Sequence, residues 1–193
     1  AFHASGEQSR TGRKRTSLNS VKILKICTQV NEELNQRQKF VVLVHLLEFI
    51  NSNEEVSVQE AEFVAIVAET FNIGQSDFES CRLFVEAHRG QQEDTAELLY
   101  INAAVQSGLQ QAKHIHAHGL EGEIRVLHVP SVNLYVMRYS GTAEVTMNGQ
   151  RMSSDSHYVL SNGTSVRPSS GVPIYYSDIL AALRWEGYSY LDQ

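Results

Sequence analysis

The sequence predicts an α+β fold: a four-helix bundle over residues 18–89, then a small, mainly antiparallel β domain over residues 95–193. Three observations carry that prediction. From Arg13 to Ile73 the chain holds neither Gly nor Pro, which favours uninterrupted helices. The run Phe40 to Ile50 is almost wholly apolar, too dense for one face of a surface helix and short of the roughly 18 to 20 residues that cross a bilayer. It reads as a central helix that neighbours cover on nearly every side. Beyond Lys113 lie seven of the twelve glycines and all three prolines, and apolar and polar residues begin to alternate as they do in strands.

Taken in order, residues 1–17 are small and polar with a basic cluster at Arg10, Arg13, Lys14 and Arg15, the composition of a disordered, solvated tail. Leu18, Val21, Leu24, Thr28 and Leu34, with Ile23, Cys27 and Val30 beside them, recur at three- and four-residue steps and give a first amphipathic helix. The second helix is the apolar run. Ser57-Val58-Gln59-Glu60 has the form of a capping box, which starts a third helix through Phe63, Val64, Val67 and Phe71. Asn72-Ile73-Gly74 offers a glycine for its left-handed stop. Ser76-Asp77-Phe78-Glu79 repeats the box and opens a fourth helix that runs to about His88.

After Gly90 to Asp94, Glu97 to Ala103 fits either a short helix or a strand, with strand the favoured reading. The runs Glu123 to Val129 and Val132 to Tyr139 alternate, with Pro130-Ser131 and Ser140-Gly141 as turns between them. Thr142 to Met147 leads into Asn148-Gly149, whose two residues tolerate the positive φ of a type I′ hairpin turn. His157 to Leu160 and Thr164 to Arg167 supply further strands. Ser177 or Asp178 is expected to cap a last helix over Ile179 to Leu183.

The chain of 193 residues is 42% hydrophobic, with a formal charge of −6 and a pI near 5.7. That balance argues against a polyphosphate-binding surface, so nucleic acid is not an expected partner. Cys27 and Cys81 occur without a C-x-x-C spacing, which suggests neither a zinc knuckle nor a disulfide framework and fits a reducing, cytoplasmic setting. No window has the pattern of a signal peptide or a spanning helix. The start at Ala1 rather than Met suggests a fragment or a processed chain.

Four constellations invite chemistry. His114, His116 and His118 alternate, so on a strand they share one face and offer imidazoles to a transition metal; an exposed linker strand with tolerated histidines is the plainer account. His45, inside the apolar helix, reads as a neutral core histidine. Asn51 to Glu55 with Glu60 and Glu62 resembles a calcium loop but has Val56 where the sharp turn needs Gly. Ser154, Ser156 and His157 read as a polar turn rather than a nucleophile with its base. The patterns G-x-x-x-x-G-K-S/T, G-x-S-x-G and H-E-x-x-H are absent. The sequence therefore assigns no catalytic, cofactor-binding or metal residues.

Lys39 to Phe78, with Val56-Ser57-Val58-Gln59-Glu60-Ala61-Glu62-Phe63 opening a helix after an acidic turn, resembles a TerB-like domain. That family has Asp-Gly at the turn, where this chain has Glu54-Glu55, and no metal role is carried over. Leu120 to Tyr135, Met147 to Gln150, Tyr158 to Arg167 and Pro173 to Ile179 are similar to a bacterial family in which a TerB-like region and a small β region precede the cassette of an ABC transporter ATP-binding protein fused to membrane-spanning segments. The likeness spans Leu18 to Leu183. It implies a non-catalytic regulatory or docking region, tethered to the inner membrane through its parent, whose partners are the cassette, the membrane segments or another protein. ATP and Mg would bind in the cassette and no cofactor in this fragment. Thr146 to Arg167 also resembles the closing hairpins of a forkhead-associated domain, but the Gly-Arg and Ser-x-x-His settings of its phosphothreonine pocket are missing. The alternatives are a metal-binding sensor or enzyme using His114, His116 and His118, and a phosphopeptide-type interaction module.

Overall fold

A computed structural model describes residues 21–52, 55–87, 91–105 and 108–184. The expectations for residues 1–17, Asn53, Glu54 and His88 fall outside them. The fold is α+β. Helix α1 is described over residues 21–33, followed by α2 (Gln36–Asn51), α3 (Val58–Thr70) and α4 (Gln75–Glu86). Among the described residues nine strands come next: β1 (Leu98–Asn102), β2 (Lys113–His116), β3 (Glu123–Val129), β4 (Leu134–Ser140), β5 (Val145–Met147), β6 (Gln150–Arg151), β7 (His157–Val159), β8 (Ser165–Pro168) and β9 (Ile174–Tyr175). Helix α5 (Tyr176–Arg184) closes the described chain.

Two capping boxes set the helix starts. Asn35 accepts from the Gln38 amide while the Gln38 side chain accepts from Asn35, and Ser57 and Glu60 do the same for α3; such a cap stabilises a helix by about 1 kcal/mol. The expected box at Ser76 is not used. Gly74 is the N-cap of α4 and makes no side-chain cap bond, so Ser76 and Glu79 lie inside the first turns. The left-handed stop after α3 also differs, because Asn72 takes it at φ 54 while Gly74 has φ −62. The Ile73 amide reaches back to the Ala68 carbonyl and the Asn72 amide to Glu69, the paired bonds of a Schellman ending.

Helix α2 buries one stripe, Phe40, Leu43, Val44, Leu47 and Ile50, at the spacing of a single helix face. It is not covered all round: Phe49 is 68% exposed, and Val41, Val42 and Leu46 are half-buried. Arg37 donates to the Leu160 carbonyl at 3.3 Å, and the Glu48 carboxylate accepts from the His157 amide at 3.2 Å, which ties α2 to the chain around β7.

The strands form two sheets. The larger has the order β2-β1-β3-β4-β7, with β1 and β2 parallel and every other pair antiparallel; the smaller, antiparallel throughout, is β6-β5-β8-β9. The Asp94 carboxylate accepts from the Gln110, Gln111 and Ala112 amides, and these bonds fix the entry into β2 and hold its carboxyl below the ordinary value. Leu98, Tyr100, Leu127, Val129, Leu134 and Val136 of the large sheet share one core with α1 to α4, whereas Leu99, Ile101, Ile124, Val126, Tyr135 and Met137 point the other way into a second core with the small sheet and α5. The large sheet is thus buried on both faces. Among the described residues no helix is long and apolar enough to cross a membrane.

Candidate functional site

Cross-strand register places polar residues in lines across the helix-facing side of the large sheet. Leu98, Leu127, Val136 and Val159 form an apolar row beneath the helices. Two residues along each strand, on the same face, the next row is His114, Tyr100, Arg125, Arg138 and His157, one from each of the five strands. A third row follows with His116, Asn102, Glu123 and Ser140. The helical layer therefore sits on the apolar row, and the polar rows run from its margin, where Tyr100 joins the helical core, Arg138 meets the end of α4 and the His157 ring meets Phe84.

Most of these polar groups bind one another. His114 Nε2 lies 3.0 Å from Asn102 Oδ1, Asn102 Nδ2 donates to Glu123 at 3.0 Å, and Arg125 Nε donates to the other Glu123 oxygen at 2.7 Å, with its guanidinium 5.5 Å from the Tyr100 ring centre. Burial is the main cause that lowers the pKa of His114, with His116 adding to it and Glu123 opposing. Arg138 Nη1 donates to the Ala87 carbonyl at 2.6 Å and to Val85, closing the C-terminus of α4, while Nε and Nη2 donate to Asp155. Burial alone would raise the Asp155 carboxyl; the hydrogen bonds from Ser140 and Arg138 outweigh it and hold the group below its ordinary value.

At the β7 edge this strip opens into a polar cleft of about 340 Å³, lined by Glu48, Glu86, Arg138, Asp155, Ser156 and His157 among others. The His157 side chain is only 4% exposed. Its ring meets Phe84 edge-on at 5.7 Å, and Nδ1 is 3.4 Å from Glu48 Oε1 without hydrogen-bond geometry. Neither ring nitrogen has a hydrogen-bond partner among the described residues. Burial pushes the His157 pKa down against the opposing pull of Glu48.

A second concavity lies between α3 and α4. It measures about 700 Å³ and is lined by Glu62, Ile66, Glu69, Ile73, Phe78 and Glu79 among others. Ile66 is 42% exposed at its wall, and the nearly buried Ile73 and Phe78 form its floor.

The structure sorts the sequence candidates. His114 and His116 do share a face of β2, but His118 lies past the strand end, and the His116 and His118 rings are 6.5 Å apart. His116 Nδ1 lies 3.0 Å from the Ala104 carbonyl. Among the described residues no group of three His, Cys, Asp or Glu side chains is placed to hold a metal ion. His45 is not a core histidine: its side chain is 58% exposed and contacts Glu48 one turn on. Of the calcium-like loop, Asn51 donates to the Leu47 carbonyl and Glu60 is engaged in the α3 cap. Ser154 bonds Asp155 and the Gly141 amide rather than His157. Asp178 is not an N-cap; it lies in the first turn of α5 and accepts from the Tyr175 amide at 2.9 Å. Sequence reasoning missed Arg125, Arg138 and Asp155. The two arginines stand at alternating polar positions of β3 and β4 and Asp155 in the turn before β7, so the sequence carried no signal that sets them apart. No family model matches this chain, and no curated protein or solved structure gives a significant match.

Proposed function

We propose that this chain is a non-catalytic docking module that regulates an associated ABC-type ATPase. The groove between α3 and α4 carries the reading, because it presents an apolar floor and the exposed Ile66 on the outer side of the helical layer, the kind of surface on which a partner element gains affinity by excluding water. The polar half of the large sheet supports the same reading, since His114 is committed to Asn102, Arg125 to Glu123, and Arg138 to Asp155 and the Ala87 carbonyl, as a rigid frame requires. The likeness of residues 39–78 to TerB-like domains, and of residues 120–179 to the region that precedes an ABC cassette, supports placing the module on such an ATPase. There its contact would differ between two cassette states and so bias their populations.

The test is Ile66→Asp introduced into the native gene. The variant is expected to keep its circular dichroism and melting temperature while losing its stoichiometric partner on native purification and altering the coupling of ATP turnover to transport. Unchanged association together with unchanged turnover would sink the docking role.

A further inference from the structure

We infer that the occupant of the α3–α4 groove is a basic amphipathic helix of a partner protein; this rests on the docking reading and gives that partner its chemistry. Along α3, Val58, Glu62, Ile66 and Glu69 follow one another at steps of four, four and three, which places them in one stripe on the helix surface. All four are exposed. Glu62 and Glu69 flank Ile66, and neither carboxylate has a side-chain hydrogen bond or ion pair among the described residues. On the opposite wall Glu79 is already held by Arg82 at 2.7 Å, so the unmatched negative charge belongs to the α3 side. An apolar floor bordered by unpaired carboxylates selects a helix whose apolar face enters the groove and whose flanks carry Lys or Arg. Seven residues separate Glu62 from Glu69, roughly 10 Å of helix rise, so the matching cations sit about two turns apart on the partner.

Other occupants fit less well. A second copy docking by two-fold symmetry would set Glu62 and Glu69 against acidic counterparts, which repel. An anionic lipid surface is repelled by the same rim. The chain's own basic cluster, Arg10, Arg13, Lys14 and Arg15, has the right charge and is tested as a competitor.

The experiment uses the full chain and two labelled peptides of about 16 residues with Leu on one helical face, one flanked by Lys and one by Glu, read by fluorescence anisotropy. The Lys peptide is expected to bind in the micromolar range and more weakly as salt rises, with the Glu peptide and the combined variant Glu62→Lys, Glu69→Lys each at least about tenfold weaker. Glu32→Lys with Glu33→Lys, exposed on α1, must leave the affinity unchanged, which separates groove binding from attraction to an acidic protein in general. Equal affinity for both peptides, or indifference to charge reversal at Glu62 and Glu69, overturns the inference. So does tighter binding after Arg10, Arg13, Lys14 and Arg15 are all replaced by Ser, because the groove would then belong to the chain itself. If peptide charge is immaterial while Ile66→Asp still releases the native partner, the docking role stands and the basic helix falls. If the Lys peptide binds as expected and Ile66→Asp leaves the native association intact, the docking role is the part that fails.

Discussion

Arg138 Nη2 lies 3.1 Å from Asp155 Oδ1 while Nη1 of the same guanidinium reaches the Ala87 carbonyl at 2.6 Å, so one side chain of β4 joins the end of α4 to the turn before β7. Asp155 keeps its side of the bond in a left-handed conformation at φ 65, with its amide donating to the Tyr139 carbonyl.

Replacing Arg138 by Ala leaves the helix-end carbonyls without this donor and takes the ion-pair partner from Asp155, which keeps its bonds from Ser140 and Ser154. The expected loss is about 3 kcal/mol, the low end for a broken buried pair because Asp155 itself reaches solvent. Urea unfolding should show a lower midpoint. An unchanged midpoint would mean that Arg138 does not join the two layers.

His157 makes stability depend on pH. Burial lowers its pKa below the ordinary 6.5, so the unfolded chain takes up a proton that the folded chain refuses. Its contribution is fully present above pH 6.5 and declines as pH falls toward the folded pKa, with a slope of at most about 1.4 kcal/mol per pH unit for one proton. His114 and His128 are shifted in the same direction by burial and add to the slope. His157→Leu should flatten part of the decline in melts between about pH 7.5 and pH 5 without loss of stability at the upper end. A variant with the parent's full pH dependence would contradict this account.

Gly122 has φ 101, and a Cβ there would meet the Ser140 carbonyl oxygen at 2.5 Å. Gly122→Ala therefore strains the backbone where β3 begins beside the end of β4, and should cost about 1 to 3 kcal/mol in thermal or urea unfolding. A neutral result would show that the β3–β4 end relaxes freely.

Both thiols are buried. Burial, with Asp77 adding to it, pushes Cys81 up to about 12, and burial raises Cys27. Neither should react with a disulfide reagent at neutral pH faster than the protein unfolds. Rapid labelling of Cys81 in native protein would show an opening of α4 that its packing does not permit.

Local signals were legible in the sequence where the side chain that acts is also the one that starts or stops an element. Ser57 and Glu60 form the box their spacing announces, and Asn148 and Gly149 adopt the positive φ values, 52 and 82, that a tight hairpin needs. Asn35 and Gln38 make an equivalent box but sit in a polar run that resembles a linker. Ser76 and Glu79 have the spacing and not the place, because Asn72 ends α3 early enough for α4 to begin at Gln75. Periodicity also mistook density for depth: Phe49 and His45 lie on the outward side of a helix whose other face is fully covered.

The polar strip was not legible for a different reason. His114, Tyr100, Arg125, Arg138 and His157 meet only once strand order and register are known, and β2 lies at the edge through a parallel pairing that alternation alone does not announce. Arg125 and Arg138 each look like the polar partner in an alternating strand. Their burial follows from a sheet with covered faces on both sides, a property of the tertiary arrangement.

That doubly covered sheet ties the fates of the two halves of the chain. Leu98, Leu127 and Val136 lose their shelter if the helices leave, and Leu99, Val126 and Met137 lose theirs if the small sheet leaves, so neither half has a stable ground state with the middle layer bare. Melting should proceed as one cooperative transition, and a force or ligand that loosens the helices will be felt by the farthest hairpin.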